Sequence, residues 1–321
     1  MFLQYKTRKS AAMALLMMLS VASFVWATPN DDKKNKKAPE GTPVLWQEPV
    51  DIATRNLFLG PGGEAMKPDL SKLTFIKQKQ GGYSTKYVVR DGAGREWVAK
   101  IGKEAQPDTV ANRLLWAAGY FTEVAYLVPQ ATIPGKGTIQ NVRFEARPEG
   151  VKRVGDWRWN DNPFRNTPEF RGLKVMMAFI NNWDIKDSNN EILQVRNDST
   201  GANELRYIIS DLGGSFGKTG GFLSRSRNKP DDFVEARFIE AVKGNIVDFN
   251  YGGKMKSIFE NITIEDAKWL GNLLSRLSDQ QIEDAFRAAN YKPEEIKLLS
   301  GAVRARINAL NELSSSSAAG R

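Results

Sequence analysis

The chain has 321 residues, 41% hydrophobic and 26% charged, with a formal charge of +9, no histidine and no cysteine. That composition suits one large globular domain or two lobes sharing a cleft. It excludes a histidine general base, Ser-His-Asp or Cys-His nucleophile machinery, His- or thiolate-held metals and disulfides. Chemistry is left to Asp, Glu, Lys, Arg, hydroxyl and amide side chains and the backbone, with any metal held by oxygen.

Lys6, Arg8 and Lys9 precede an uncharged, apolar-rich run from Ala11 to Ala27, and Val25-Trp26-Ala27 sets small residues at −3 and −1 of a signal-peptidase site. The expectation is a cleavable signal peptide over 1–27 and a periplasmic or secreted mature chain, with an uncleaved anchor as the alternative reading. Losing those three basic residues lowers the formal charge from +9 to +6. This surplus suits anionic partners or simply a basic surface. Residues 28–45 read as a flexible polar leader and 46–70, with "LGPGGEAMKPD", as a Gly/Pro-rich wrapping segment.

From Leu73 the pattern is that of strands. "LTFIKQK", "KYVVRD" and "REWVAKIG", separated by "QGGYST" and the Asp-Gly turn "DGAG", predict a three-stranded meander. A helix follows, with Pro107 in its first turn, Gly119 at its end and Asp108, Ala111, Leu115 and Ala118 on one face. "EVAYLVPQATI" and "TIQNVRFEARPE", joined by "PGKG", read as further strands. Thr167 caps a helix with Pro168 first and Phe170, Leu173, Met177 and Ile180 as its apolar seam. "EILQVR" and "ELRYIIS" form a hairpin, and the remainder reads mostly as helix, opened by Thr263, by a Ser278–Gln281 capping box and by Pro293. The tail "SSSSAAGR" reads as frayed. The fold class is therefore α+β: a β-rich N-lobe with one helix over 71–148 and a mainly helical C-lobe over 149–313.

Lys100 ends the apolar strand "WVAK", which directs its amine toward whatever cleft the sheet borders. Asp108 lies on the apolar face of the next helix, where an unpaired carboxylate is costly, and a Lys100–Asp108 pair removes that cost. Glu104 is a competing partner, but it precedes Pro107 and reads as lying outside the helix. Asp184 and Asn189 share the loop "NNWDIKDSNN" after a buried helix, and Asp187 reads as its solvated neighbour. Asp211 closes "YIIS" and precedes "LGGSFG", whose glycines give the backbone freedom. The hairpin between loop and Asp211 can bring Asn189 and Asp211 together. An amide oxygen, a carboxylate and a lysine suit magnesium and phosphate oxygens. The bland readings are a strand-end lysine, a helix-start acid and an exposed loop acid.

The order of these parts resembles the protein-kinase-like superfamily. "WVAK" is similar to the strand bearing the phosphate-binding lysine, "DIKDSN" to the D-x-K-x-x-N catalytic loop and "SDLGG" to the metal-binding D-F-G. "GGYSTK" is closer to the Gly-x-x-x-Lys loops of HipA-like and phosphatidylinositol-kinase-like members, as is "QPDTVANRLLWAAGY". The framework also resembles a group of secreted bacterial proteins. The resemblance implies a two-lobed kinase-like fold over about 70–300 and ATP with magnesium as cofactors. In it Gly81, Gly82 and Ser84 cover the phosphates, and Lys100, steadied by Asp108, contacts them. Asp184 orients or deprotonates the acceptor hydroxyl, Lys186 neutralises the transferred group, and Asn189 and Asp211 hold magnesium. "FEAR", residues 144–147, becomes the hinge against which an adenine stacks. Two positions depart from the family pattern: Asp108 is one methylene shorter than the usual Glu, and Asn182-Trp183 replace the usual His-Arg. The acceptor is then a protein, lipid or glycan hydroxyl. The alternatives are a catalytically inactive kinase-like fold binding a nucleotide, polyanion or partner protein in the envelope, or a generic envelope-associated or anion-binding protein with only its basic surface; the run "KTGGFLSRSRNK" reads as a grip for an anionic substrate or as a solvated loop.

Overall fold

Alternating apolar and polar residues in the first third of the chain build a sheet, and periodic apolar stripes in the last two thirds build helices around a larger core. The computed structural model describes residues 39–314. The expected signal peptide with its cleavage point after Ala27, the leader up to residue 38 and the tail from residue 315 lie outside them.

A short strand, β1 (Thr42–Val44), comes first, where a flexible leader is expected. Residues 46–70 then wrap the body with only one 3₁₀ turn, Ile52–Thr54. The segment is pinned at intervals: Trp46 Nε1 donates to Ala118 O at 2.7 Å, and Gln281 Nε2 donates to Ile52 O at 2.8 Å and Arg55 O at 2.9 Å.

Strands β2 (Thr74–Lys79), β3 (Thr85–Arg90) and β4 (Glu96–Ile101) form the expected meander. Helix α1 (Ala105–Ala117) follows, then β5 (Ala125–Ile133) and β6 (Gly137–Ala146). The five strands form one antiparallel sheet in the order β2-β3-β4-β6-β5. Side chains alternate across it. Val89, Trp97, Ala99, Phe144 and Ala146 enter a small apolar core, so Val98, Lys100, Arg143 and Glu145 point to the opposite face.

Beyond the sheet come β7 (Lys152–Gly155), α2 (Pro168–Phe179), and the hairpin β8 (Asn190–Arg196) and β9 (Asn203–Ile209). Thr167 caps α2, its Oγ1 accepting from Phe170 N at 3.2 Å. The second sheet runs β1-β9-β8-β7, with β1 parallel to β9. The remainder comprises α3 (Pro230–Glu235), the hairpin β10 (Ile239–Lys243) and β11 (Ile246–Phe249), and α4 (Ile264–Ser275), α5 (Asp279–Arg287) and α6 (Pro293–Asn311). Capping boxes at Thr263 and at Ser278 with Gln281 start α4 and α5. The stretch is mostly helical as expected, with one unforeseen hairpin, β10–β11: two β-branched runs flank Gly244-Asn245, and Gly244 takes a φ of +62°. The result is an α+β chain with a β-rich N-terminal part and a mainly helical C-terminal part. Helices α1, α2, α4, α5 and α6 share the larger core with Phe216, Phe233, Phe249 and Trp157.

Candidate phosphate and metal site

Lys100 is buried, 3% exposed, on the sheet face opposite Trp97 and Ala99. Its Nζ lies 2.9 Å from Asp108 Oδ2 and 2.9 Å from Asp211 Oδ1. Burial alone would lower the lysine's pKa, but the charges of Asp108 and Asp211 outweigh it and the value rises. Asp211 stands in the mirror situation. Burial pushes its carboxyl up, but Lys100 and the Gly213 N–H, at 3.2 Å, hold it below the ordinary value. Lys100 and Asp211 thus favour each other's charged forms.

Asn189 joins the Asp184 loop to the Asp211 strand. Its Nδ2 donates to Asp184 O at 2.9 Å and to Asp211 O at 3.4 Å, which leaves the carboxamide oxygen as the group to meet a cation. The β8–β9 hairpin makes this closure, pairing Asn190 with Ile209, while Ser210 N donates to Asn189 O at 2.7 Å. The Asp184 N–H donates to Asn182 Oδ1 at 3.1 Å in a turn, and its carboxylate is gripped by Lys186 Nζ at 3.1 Å and by Lys254 Nζ. Asp187 accepts from Trp159 N at 3.1 Å, so it anchors the chain before α2 and is not merely solvated.

Gly81 and Gly82 take φ values of +87° and +82°, which only glycine adopts without strain. The hydroxyl of Ser84, buried under this loop, bonds to Glu104 Oε2. A different reason explains the glycines after Asp211. Gly213 and Gly214 have no positive φ; a Cβ at Gly213 would lie 2.5 Å from Glu104 Cβ, and one at Gly214 2.9 Å from Asn182 Oδ1. They are small because Glu104 and the Asp184 loop press against them, not because the backbone needs freedom.

Several residues at the site went unassigned in the sequence reading. Glu104 is the N-cap residue of α1, buried, and bonds to Ser84 and Arg227 with Lys100 Nζ at 3.6 Å. The competing partner is thus part of the site. Lys86 sits opposite Lys100 in the β3–β4 register, and its charge helps lower Asp211. The "DGAG" turn fixes that register, so the pairing was readable from the hairpin. Arg227 stacks between Tyr83, at 4.5 Å, and Trp183, at 4.6 Å. No local pattern marks it or Lys254.

The "FEAR" stretch divides. Phe144 is fully buried against Trp97 and cannot face a ligand. Ala146 and Arg147 instead line a cavity of about 350 Å³ with Val124, Pro148, Leu193 and Ile208. The Ala146 and Arg147 N–H groups are already bonded to Val124 O and Glu96 O, both at distances near 3 Å (2.9 and 3.0 Å). Between this cavity and Lys100 lies a buried charge network. Arg153 Nη2 reaches Glu123 Oε1 at 2.5 Å and Glu145 Oε1 at 3.1 Å, and Nη1 reaches Glu191 on the hairpin below. Arg143 completes it, 2.9 Å from Glu145 and 3.7 Å from Asp108. Burial and the neighbouring Glu145 push the Glu123 carboxyl up to about 8.

Among the described residues no three acidic side chains gather as a ready metal cluster. A magnesium ion here would take most of its ligands from phosphate and water, with Asp211 and Asn189 supplying the protein oxygens. No family model matches the chain, and no curated protein matches it. Two solved protein kinases are similar in structure. The proinflammatory kinase CtkA of Helicobacter pylori shares 11% identity at a TM-score of 0.49, over 76% of this chain and 97% of its own. The Rio2 kinase of Chaetomium thermophilum, solved as an ADP/Mg2+-phosphoaspartate complex, shares 14% at a TM-score of 0.32, over 74% and 72%.

Proposed function

We propose that this chain is an extracytoplasmic phosphotransferase of the kinase-like superfamily, nearer its HipA-like branch, using ATP and magnesium on a hydroxyl acceptor. The observation that carries the reading is the position of Lys100 Nζ, 2.9 Å from both Asp108 and Asp211, with Asn189 tying Asp211 to Asp184. A buried lysine held between two carboxylates, one of them 29% exposed at the cleft, is suited to phosphate oxygens and a cation.

Bound ATP with magnesium would supply an activated phosphoryl group, and this chain's residues would supply placement and charge. Lys100, with Lys86 beside it, would hold phosphate oxygens, and the Gly81–Gly82 loop would cover them. Asn189 Oδ1 and Asp211 would hold the cation. The base would sit in the cavity between Ala146 and Ile208. Because the Ala146 and Arg147 N–H groups are spent inside the sheet, shape and side chains would recognise it more than those amides do. Asp184 would orient the acceptor hydroxyl and take its proton, while Lys186 and Lys254 would neutralise charge on the group in transit.

The test is a thermal-shift titration with ATP and ADP, each with and without magnesium, followed by a transfer assay. Magnesium-dependent stabilisation at millimolar nucleotide is expected, and its absence would overturn the nucleotide site. Asp184→Ala should retain that stabilisation and lose transfer; Asp211→Ala should lose both. The second reading, a kinase-like fold that binds without transferring, is supported by the double lysine grip on Asp184. It predicts binding that Asp184→Ala leaves intact and no transfer from the native chain.

A further inference from the structure

Two large apolar side chains stand almost free in solvent beside Asp184. Phe222 is 81% exposed and Leu223 96%, adjacent at the tip of the loop that follows Gly220-Gly221. Burying two adjacent side chains of this size against an apolar phase would be favourable. Their surroundings are cationic. Arg225 stacks its guanidinium on Phe222 at 5.2 Å and on Trp183 at 4.1 Å, and forms no ion pair among the described residues. Lys254 lies 5.9 Å from the Trp183 ring, and with Lys186 it holds Asp184. Tyr83, 76% exposed, projects from the glycine loop above and stacks on Arg227. Phe222 and Arg225 thus meet over the buried Trp183, an exposed apolar tip backed by a cation.

We propose that this loop docks on the surface of an anionic lipid bilayer, with Phe222 and Leu223 inserted between the acyl chains and Arg225 against the headgroup phosphates. An apolar tip backed by cations matches the layering of a bilayer edge, hydrocarbon beneath negative headgroups. Docking needs no nucleotide, and so stands apart from phosphoryl transfer.

The chain has no cysteine, so a single introduced thiol reports one place. Leu223→Cys, carrying an environment-sensitive fluorophore, is mixed as the full chain with phosphatidylglycerol–phosphatidylcholine vesicles. Val50→Cys, at a site 82% exposed, is the control for chain association at any other point. The expected result is a blue shift at position 223 that a bilayer-depth quencher suppresses, and no shift at position 50. The shift should be absent with phosphatidylcholine alone and reduced severalfold at 0.5 M salt or by Arg225→Gln. An unchanged label at 223, equal shifts at both positions, or an equal shift with polyglutamate in place of vesicles would each overturn the proposal.

Discussion

Lys100 and Asp108, buried at 3% and 1% exposure, form an ion pair with 2.9 Å between Nζ and Oδ2. Removing the lysine strands a carboxylate inside the protein, where a broken pair costs about 3–5 kcal/mol. Arg143 remains 3.7 Å from the other oxygen of Asp108 and softens the loss. Lys100→Met is therefore expected to lower unfolding free energy by about 2–3 kcal/mol, and Lys100→Met with Asp108→Asn to recover most of it. Urea denaturation of the four forms checks this. A double variant no better than the single would mean that Asp108 is not the group left stranded.

Lys254 reaches Asp184 from the segment after β11 and is 46% exposed. Its removal should leave fold and nucleotide response intact but lower transfer about tenfold, less than a fully enclosed donor contributes. Steady-state kinetics of Lys254→Gln measure it. A drop in nucleotide stabilisation, with transfer per bound nucleotide unchanged, would contradict the assignment.

Gly213 touches Glu104, and Glu104 starts α1, so crowding here should propagate to the Lys100–Asp108 pair. Gly213→Ala puts a methyl 2.5 Å from Glu104 Cβ. Overpacking of this kind costs about 1–3 kcal/mol. Calorimetry should show that loss together with a weakened nucleotide response. Gly213→Val, with a larger side chain at the same place, should lose more on both readouts. Equal stability of the native chain and Gly213→Ala would show that the space beside Glu104 is open.

Glu123 supplies a pH signature. Its folded pKa, about 8, lies above the ordinary carboxyl value of 4.5, so the folded state keeps a proton that the unfolded state releases. Stability from this group is complete below about 4.5 and is lost as pH rises through about 8. Glu123→Gln retains the acceptor for Arg153 and Ser210 without that loss. Its Tm relative to the native chain should therefore rise steadily from pH 5 to pH 8.5. A difference independent of pH would mean that the carboxyl is ionised throughout.

The elements that sequence reveals here are those written locally. The meander, the Thr167 and Thr263 caps and the Ser278–Gln281 box depend on neighbours within a few residues. The Lys100–Asp108 pair was legible for a related reason, since a carboxylate on an apolar helix face must find a cation nearby. Arg227 and Lys254 left no such trace, because they reach Glu104 and Asp184 across 123 and 70 residues of chain. The "FEAR" stretch shows a different limit. The family resemblance implied a hinge against which an adenine stacks, but strand alternation turned Phe144 inward and left Ala146 and Arg147 at the cavity. Strand β7 was missed because four residues between glycines carry almost no pattern. It contributes Arg153, the centre of the charge network.

Strand β1 gives the site a mechanical connection. It lies parallel to β9, with Thr42 opposite Glu204 and Val44 opposite Arg206, and Gln194 of β8 donates to Glu40 O at 2.7 Å. A pull on the chain ahead of residue 39 would load this pairing along its length, in shear, rather than peel it bond by bond. The loaded strand runs on through Ile209 and Ser210 into Asp211. Tension at the amino-terminal end would therefore be shared between the β8–β9 hairpin and the strand that ends at Asp211.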